Sequence, residues 1–187
     1  PAPRLAMPPH PPAVSPAYRV TRPRTPLRIL ALHGFTQNAP FFRSRISGLR
    51  KSLKGFAEFT FLNGSLAAEG IPFEVDEATR GPPLAWWNWA DAAGVTAAPG
   101  STADGKYLGF DKSVRDVGDY VREHGPFDGI LGFSQGATVA AYMMLQPVGE
   151  RPPAIKFLVL ISGFVPGDPQ FAVRLFWRLA FAMSAIA

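Results

Sequence analysis

The sequence predicts an α/β fold, a mostly parallel sheet of about four strands flanked by helices. Two observations carry that expectation. Four short runs, LRILALHG (27–34), AEFTFLNG (57–64), FDGILGFS (127–134) and IKFLVLISG (155–163), are nearly continuous in apolar residues instead of alternating. Continuous runs suit strands buried on both faces. Segments with helical periodicity lie between them, and strands that alternate with helices give crossover connections and a parallel sheet. The 187 residues, 47% hydrophobic and 18% charged, are enough for one domain and too few for two.

The elements follow in order. Residues 1–26 hold nine prolines, a density that denies helix and sheet their backbone donors, so a disordered leader is expected there. It contains arginine and no acid, as organelle-targeting segments do; the expected compartment is the cytoplasm, with targeting by this leader as the alternative. After the first strand, residues 41–54 place Phe42, Ile46, Leu49 and Leu53 on one stripe, which predicts a helix. The second strand leads into a long stretch, about 63–108, expected to be a lid-like insertion. It carries GPPLAWWNWADAAG, and its indoles are too apolar to leave in water. Trp86, Trp87 and Trp89 either pack onto the body or line an apolar substrate pocket, Trp86 and Trp87 being the pocket candidates. Residues 109–124 point Val114, Val117 and Val121 inward, and Gly125 and Pro126 stop that helix. The third strand, a helix over 135–146 and the fourth strand complete a domain over 27–165. Residues 166–187 form a turn and a terminal helix whose Arg174 and Arg178 share one face.

Charge is uneven. All acidic residues lie from Glu58 onward, while Arg4, Arg19, Arg22, Arg24, Arg28, Arg43, Arg45, Arg50, Lys51 and Lys54 precede it. These bases do not interleave with aromatics and accompany no nucleic-acid-binding motif, so no nucleic-acid partner is expected. Cysteine is absent, which excludes disulfides, thiolate zinc sites and thiol catalysis. The three histidines are scattered and show no metal-ligand spacing; no metal and no cofactor is expected. No run of 18 apolar residues is free of charge, so no membrane span is expected.

The chemistry concentrates at Gly132-Phe133-Ser134-Gln135-Gly136. The pattern G-x-S-x-G is weak alone but strong between a buried strand and a helix, because the serine must occupy a sharp strand-to-helix turn. Gly132 and Gly136 remove the Cβ atoms that would collide in that turn, and Ala137, Ala140 and Ala141 let the helix lie close to the sheet. Ser134 is thus the candidate nucleophile. The free N–H groups at the start of the following helix favour a developing oxyanion. The candidate donors are the backbone N–H of Gln135 and, from the loop after the first strand, that of Phe35. A flavodoxin-like nucleotide binder is disfavoured, since HGFTQN lacks a glycine-rich phosphate cradle.

RILALHGFTQNAPFF, GPFDGILGFSQGATVAA and IKFLVLISGF, in this order and spacing, together with PFEVDEATRGPPLAWWNW and YVREHGPFDG, resemble the FSH-type serine hydrolases over roughly 27–165. The resemblance implies an α/β-hydrolase fold and hydrolysis of a carboxylester or thioester through a Ser-His-Asp triad, on a small hydrophobic substrate. In that fold the acid and then the histidine follow later strands. Only a short tail follows Gly163, so the expectation is an incomplete α/β-hydrolase with its last strands missing, a divergent C-terminal segment and impaired catalysis. His10 lies in the leader, His124 ends the helix before the nucleophile strand, and His33 is expected to shape the oxyanion loop. Asp168 follows its strand too soon to serve as the acid. The alternatives are an inactive binding protein of the same fold or a gene-model fragment. The fourth strand is expected to be an uncovered edge that permits self-association.

Overall fold

The computed structural model describes residues 25–91, 93–100, 105–146, 152 and 155–173. Most of the leader and most of the terminal segment lie outside the described residues, as does His10.

The chain enters through β1 (Leu27–Leu32), then α1 (Ala39–Arg45), α2 (Ser47–Ser52) and β2 (Ala57–Leu62). Short pieces follow: β3 (Leu66–Ala67), α3 (Glu77–Arg80), β4 (Leu84–Ala85), β5 (Asn88–Ala90), β6 (Thr96–Ala97) and β7 (Lys106–Leu108). The long helix α4 (Phe110–His124), β8 (Gly129–Phe133), α5 (Gln135–Met144) and β9 (Phe157–Ile161) complete the order. Four strands form one sheet in the order β2-β1-β8-β9. Every pairing in it is parallel, with Leu27 opposite Ala57, Ile29 opposite Gly129 and Gly129 opposite Phe157.

The central strands are buried on both faces, as their continuous apolar runs require. Leu30, Leu32 and Ile130 join Val117 and Val121 of α4, Val139 and Tyr142 of α5, and Trp86 in one cluster. Ile29, Ala31 and Leu131 pack with Phe42 of α1 on the opposite face. The two-residue alternation of a strand sends neighbours to these two clusters in turn.

Two expected elements differ. The helix over 41–54 is two helices that break at Ile46 (φ −97°, ψ 24°). The two halves do not share one buried stripe: Phe42 is buried while Leu49 stands 40% exposed. The stretch over 63–108 is not one irregular loop. β3 pairs with β4, and β5 pairs with both β6 and β7, all antiparallel.

At the border, β9 has β8 on one side only among the described residues. Val159, Leu160 and Ile161 are exposed by 40%, 46% and 40%. No helix among the described residues is long and apolar enough to cross a membrane.

Candidate active site

Ser134 occupies the turn between β8 and α5 with φ 52° and ψ −117°. A non-glycine residue at positive φ costs about 1–3 kcal/mol and persists only where its surroundings impose it. Those surroundings are visible. A Cβ on Gly132 would stand 2.5 Å from the Cα of Ala137, and one on Gly136 would stand 2.4 Å from the carbonyl oxygen of Leu32. Only hydrogens fit in either gap, so strand, turn and helix are pressed together around the serine. The Ser134 carbonyl starts the helix by accepting from the N–H groups of Ala137 (3.0 Å) and Thr138 (3.1 Å). The Ser134 N–H donates to the carbonyl of Ile161, the last residue of β9, at 2.9 Å. The side chain is left half-buried at the C-terminal end of the sheet.

The loop after β1 lies against this turn; a Cβ on Gly34 would approach the Cβ of Ser134 to 3.3 Å. Its hydrogen bonds hold it open. Gly34 N–H donates to Gln37 Oε1, Thr36 N–H to the Leu84 carbonyl and Gln37 N–H to the Gly34 carbonyl. Thr36 sits at φ 63°. Among the described residues the N–H of Phe35 has no hydrogen-bond partner. The N–H of Gln135, at the first position of α5, has none within the helix by construction. The two candidate oxyanion donors therefore stand on the two chain segments that flank Ser134.

His33 is interior, with 0% exposure. Its Nδ1 donates to the Gly34 carbonyl at 2.8 Å, and its Nε2 accepts from the Gly64 N–H at 2.9 Å. That pairing fixes a neutral tautomer. Burial pulls its pKa down to about 4, against the smaller upward effect of the bond to Gly34. Both ring nitrogens are committed, so His33 shapes the loop and has no lone pair free for a serine proton. His124 ends α4 at the opposite end of the sheet, where its ring stacks on Tyr120 at 4.1 Å and its carbonyl accepts from Arg28. Asp168 is also structural. Its Oδ2 accepts from the Tyr107 N–H at 2.8 Å, and its Oδ1 and carbonyl hold the turn over 168–172.

Trp86 and Trp87 are 1% and 0% exposed. Trp86 Nε1 donates to the His33 carbonyl at 2.8 Å. Trp87 stacks on Tyr107 at 4.8 Å and meets Phe110 and Phe164 edge-on. Trp89 packs edge-on against Phe35 at 5.1 Å, which brings the insertion onto the loop after β1.

The side chain of Gln135 has a contact that no local pattern in the sequence announces. It is fully buried. Its Oε1 accepts from the Trp86 N–H and its Nε2 donates to the Trp87 carbonyl, both at 2.9 Å. The available signal was a long amide opening a helix whose other residues are small or apolar. Asn38 and Asn88 act alike: Asn38 donates to the carbonyls of Arg80 and Pro82, and Asn88 bonds Glu69 N–H and Ala67 carbonyl. Asn38 and Gln135 thus stitch the insertion to the domain, and Asn88 ties two parts of the insertion together. No group of three or more metal-ligating side chains occurs among the described residues.

The family Serine hydrolase (FSH1) matches residues 22–183. Human esterase OVCA2 is 37% identical over 162 residues, covering 82% of this chain and 70% of that protein. The Caenorhabditis elegans esterase C25G4.2 is 38% identical over 141 residues, covering 74% of this chain and 60% of that protein. A Schizosaccharomyces pombe dihydrofolate reductase is 33% identical over 165 residues, 78% of this chain and 33% of that protein. The chain thus spans about one third to two thirds of the length of these relatives. The maize acyl-protein thioesterase 2 structure superposes with a TM-score of 0.49 at 21% identity, over 83% of this chain and 65% of that one. With a family match across most of its length and a strand–serine–helix turn of the required form, the chain belongs to the FSH1 serine hydrolase family.

Proposed function

We propose that this chain is a hydrolase of the carboxylesterase or thioesterase kind in which Ser134 forms an acyl-enzyme. The observation that carries the reading is the positive φ of Ser134 between Gly132 and Gly136, whose contacts leave no room for a side chain. Its Oγ attacks the substrate carbonyl carbon as the hydroxyl proton leaves for a base. The carbonyl oxygen gains the charge, and the N–H groups of Gln135 and Phe35 receive it. Collapse breaks the bond to the alcohol or thiol, which departs with a proton and leaves an acyl ester on Ser134. Water then attacks that ester, releasing the acid and restoring the serine. The aromatic insertion packed on the oxyanion loop favours a small hydrophobic ester or thioester.

Among the described residues the proton acceptor is an unfilled role. His33 is committed through both nitrogens and His124 lies at the other end of the sheet. We therefore propose slow turnover for these 187 residues. Loss of the triad histidine costs about six decades in the best-measured serine protease. Incubation with a fluorophosphonate probe tests the assignment. Labelling of the wild type that disappears in Ser134→Ala supports an activated serine.

The committed imidazole also favours a second reading, a binding protein that keeps the fold without the chemistry. A folded wild type that takes up no probe yet retains a hydrophobic ester selects that reading and removes the first.

A further inference from the structure

The basic residues concentrated before Glu58 in the sequence converge in space. Arg43 of α1, Arg50 and Lys51 of α2 and Lys54 of the turn that follows line one open groove of about 550 Å³ against the start of β2. Ser47, Gly55, Ala57, Glu58 and Phe59 complete it. The guanidinium groups of Arg43 and Arg50 lie 5.9 and 5.8 Å from the centre of the same Phe61 ring. Arg50 also donates to the Arg43 carbonyl at 3.4 Å, which ties its head to the backbone of α1.

Four cations meet there with one carboxylate, Glu58, and among the described residues none of the four forms an ion pair. Cations near the end of a short helix are favoured by its dipole. That effect does not explain why four basic side chains line a single concavity, where like charges repel. An anion filling the groove would relieve that repulsion. Two guanidinium forks match adjacent phosphates, and the lysines add point charge. The concave shape suits a compact ligand better than a flat membrane. The groove lies at the N-terminal end of β2, and Ser134 lies beyond the C-terminal end of parallel β8, so this site is separate from the proposed active site.

We propose that Arg43, Arg50, Lys51 and Lys54 form a binding site for a small molecule that carries two or more adjacent phosphates.

Titration calorimetry of the 187-residue protein with inorganic tripolyphosphate tests this at roughly 50 and 200 mM salt, which brackets the range where exposed charges are screened. The expected result is saturable binding that weakens with salt. The double variant Arg50→Gln/Lys51→Gln should raise Kd about 10-fold or more, and Glu58→Gln should lower it about 3-fold, as single surface charges do. All these side chains are at least partly exposed, so melting temperatures should match the wild type; the opposite shifts also separate lost binding from lost folding. The proposal is overturned by absent saturation at the lower salt, by equal Kd across the variants, or by binding confined to phosphatidylserine vesicles. Fluorophosphonate labelling of Ser134 should be the same in all these variants.

Discussion

The side-chain amide of Gln135 accepts the buried N–H of Trp86 at 2.9 Å. The same amide donates to the Trp87 carbonyl, so one residue saturates two backbone groups of the insertion from the first position of the helix after Ser134. Gln135→Ala strands both groups in the core, where each unsatisfied group costs about 1–3 kcal/mol. A loss of about 3 kcal/mol in urea unfolding is expected. Gln135→Glu should cost more, because it keeps an acceptor for Trp86, removes the donor to Trp87 and buries a charge. Equal stability of wild type and Gln135→Ala would refute the clamp.

Gly136→Ala tests the turn itself. The added methyl would stand 2.4 Å from the Leu32 oxygen and 2.6 Å from the His33 oxygen. Backbone on both sides cannot yield, so a penalty of about 3 kcal/mol is expected. In a chain of this size that lowers the melting temperature by roughly 10 °C. Gly48→Ala, where a Cβ meets nothing within 4 Å, is the control and should melt like the wild type.

His33 sets a pH dependence of stability. Its folded pKa, about 4, lies below its ordinary 6.5, so the unfolded chain binds the proton first. The stabilisation from neutral His33 is full above pH 6.5 and is lost as pH falls from 6.5 toward 4. The contribution is about 3 kcal/mol at neutral pH. Unfolding free energies measured at intervals between pH 7.5 and 4.5 should fall over that window in the wild type. They should fall much less in His33→Gln, which begins lower.

Leu160 stands 46% exposed on a border strand between Val159 and Ile161, which are also open. An apolar edge with no strand on its outer side among the described residues invites pairing with another copy. The chain should therefore associate as its concentration rises. Leu160→Lys should shift sedimentation velocity profiles toward the monomer, while unchanged profiles would show that association, if present, uses another surface.

Much of this architecture is legible in the residues. The four sheet strands lie inside the four apolar runs because burial on both faces leaves no polar alternation to misread. The α4 helix is plain because Val117 and Val121 repeat at helical spacing and Gly125 closes it. The break at Ile46 is not legible, since both halves carry apolar residues at compatible spacing and the kink resides in backbone angles. The strands between 63 and 108 are also hidden. Runs of two or three residues have no period of their own, and their pairing depends on Asn38, Asn88 and Gln135 reaching them from 19 to 49 positions away. The Ser134 turn is legible because its glycines are a steric requirement. The want of a base among the described residues is legible too, because His33, His124 and Asp168 sit at places in the pattern that do not suit the role, and the structure finds each of them engaged elsewhere.

The amide of Ser134 hangs from the carbonyl of Ile161, at the tip of the outermost strand. The last residue of β9 thus anchors the backbone of the candidate nucleophile, and the placement of residue 134 is mechanically continuous with the end of that strand.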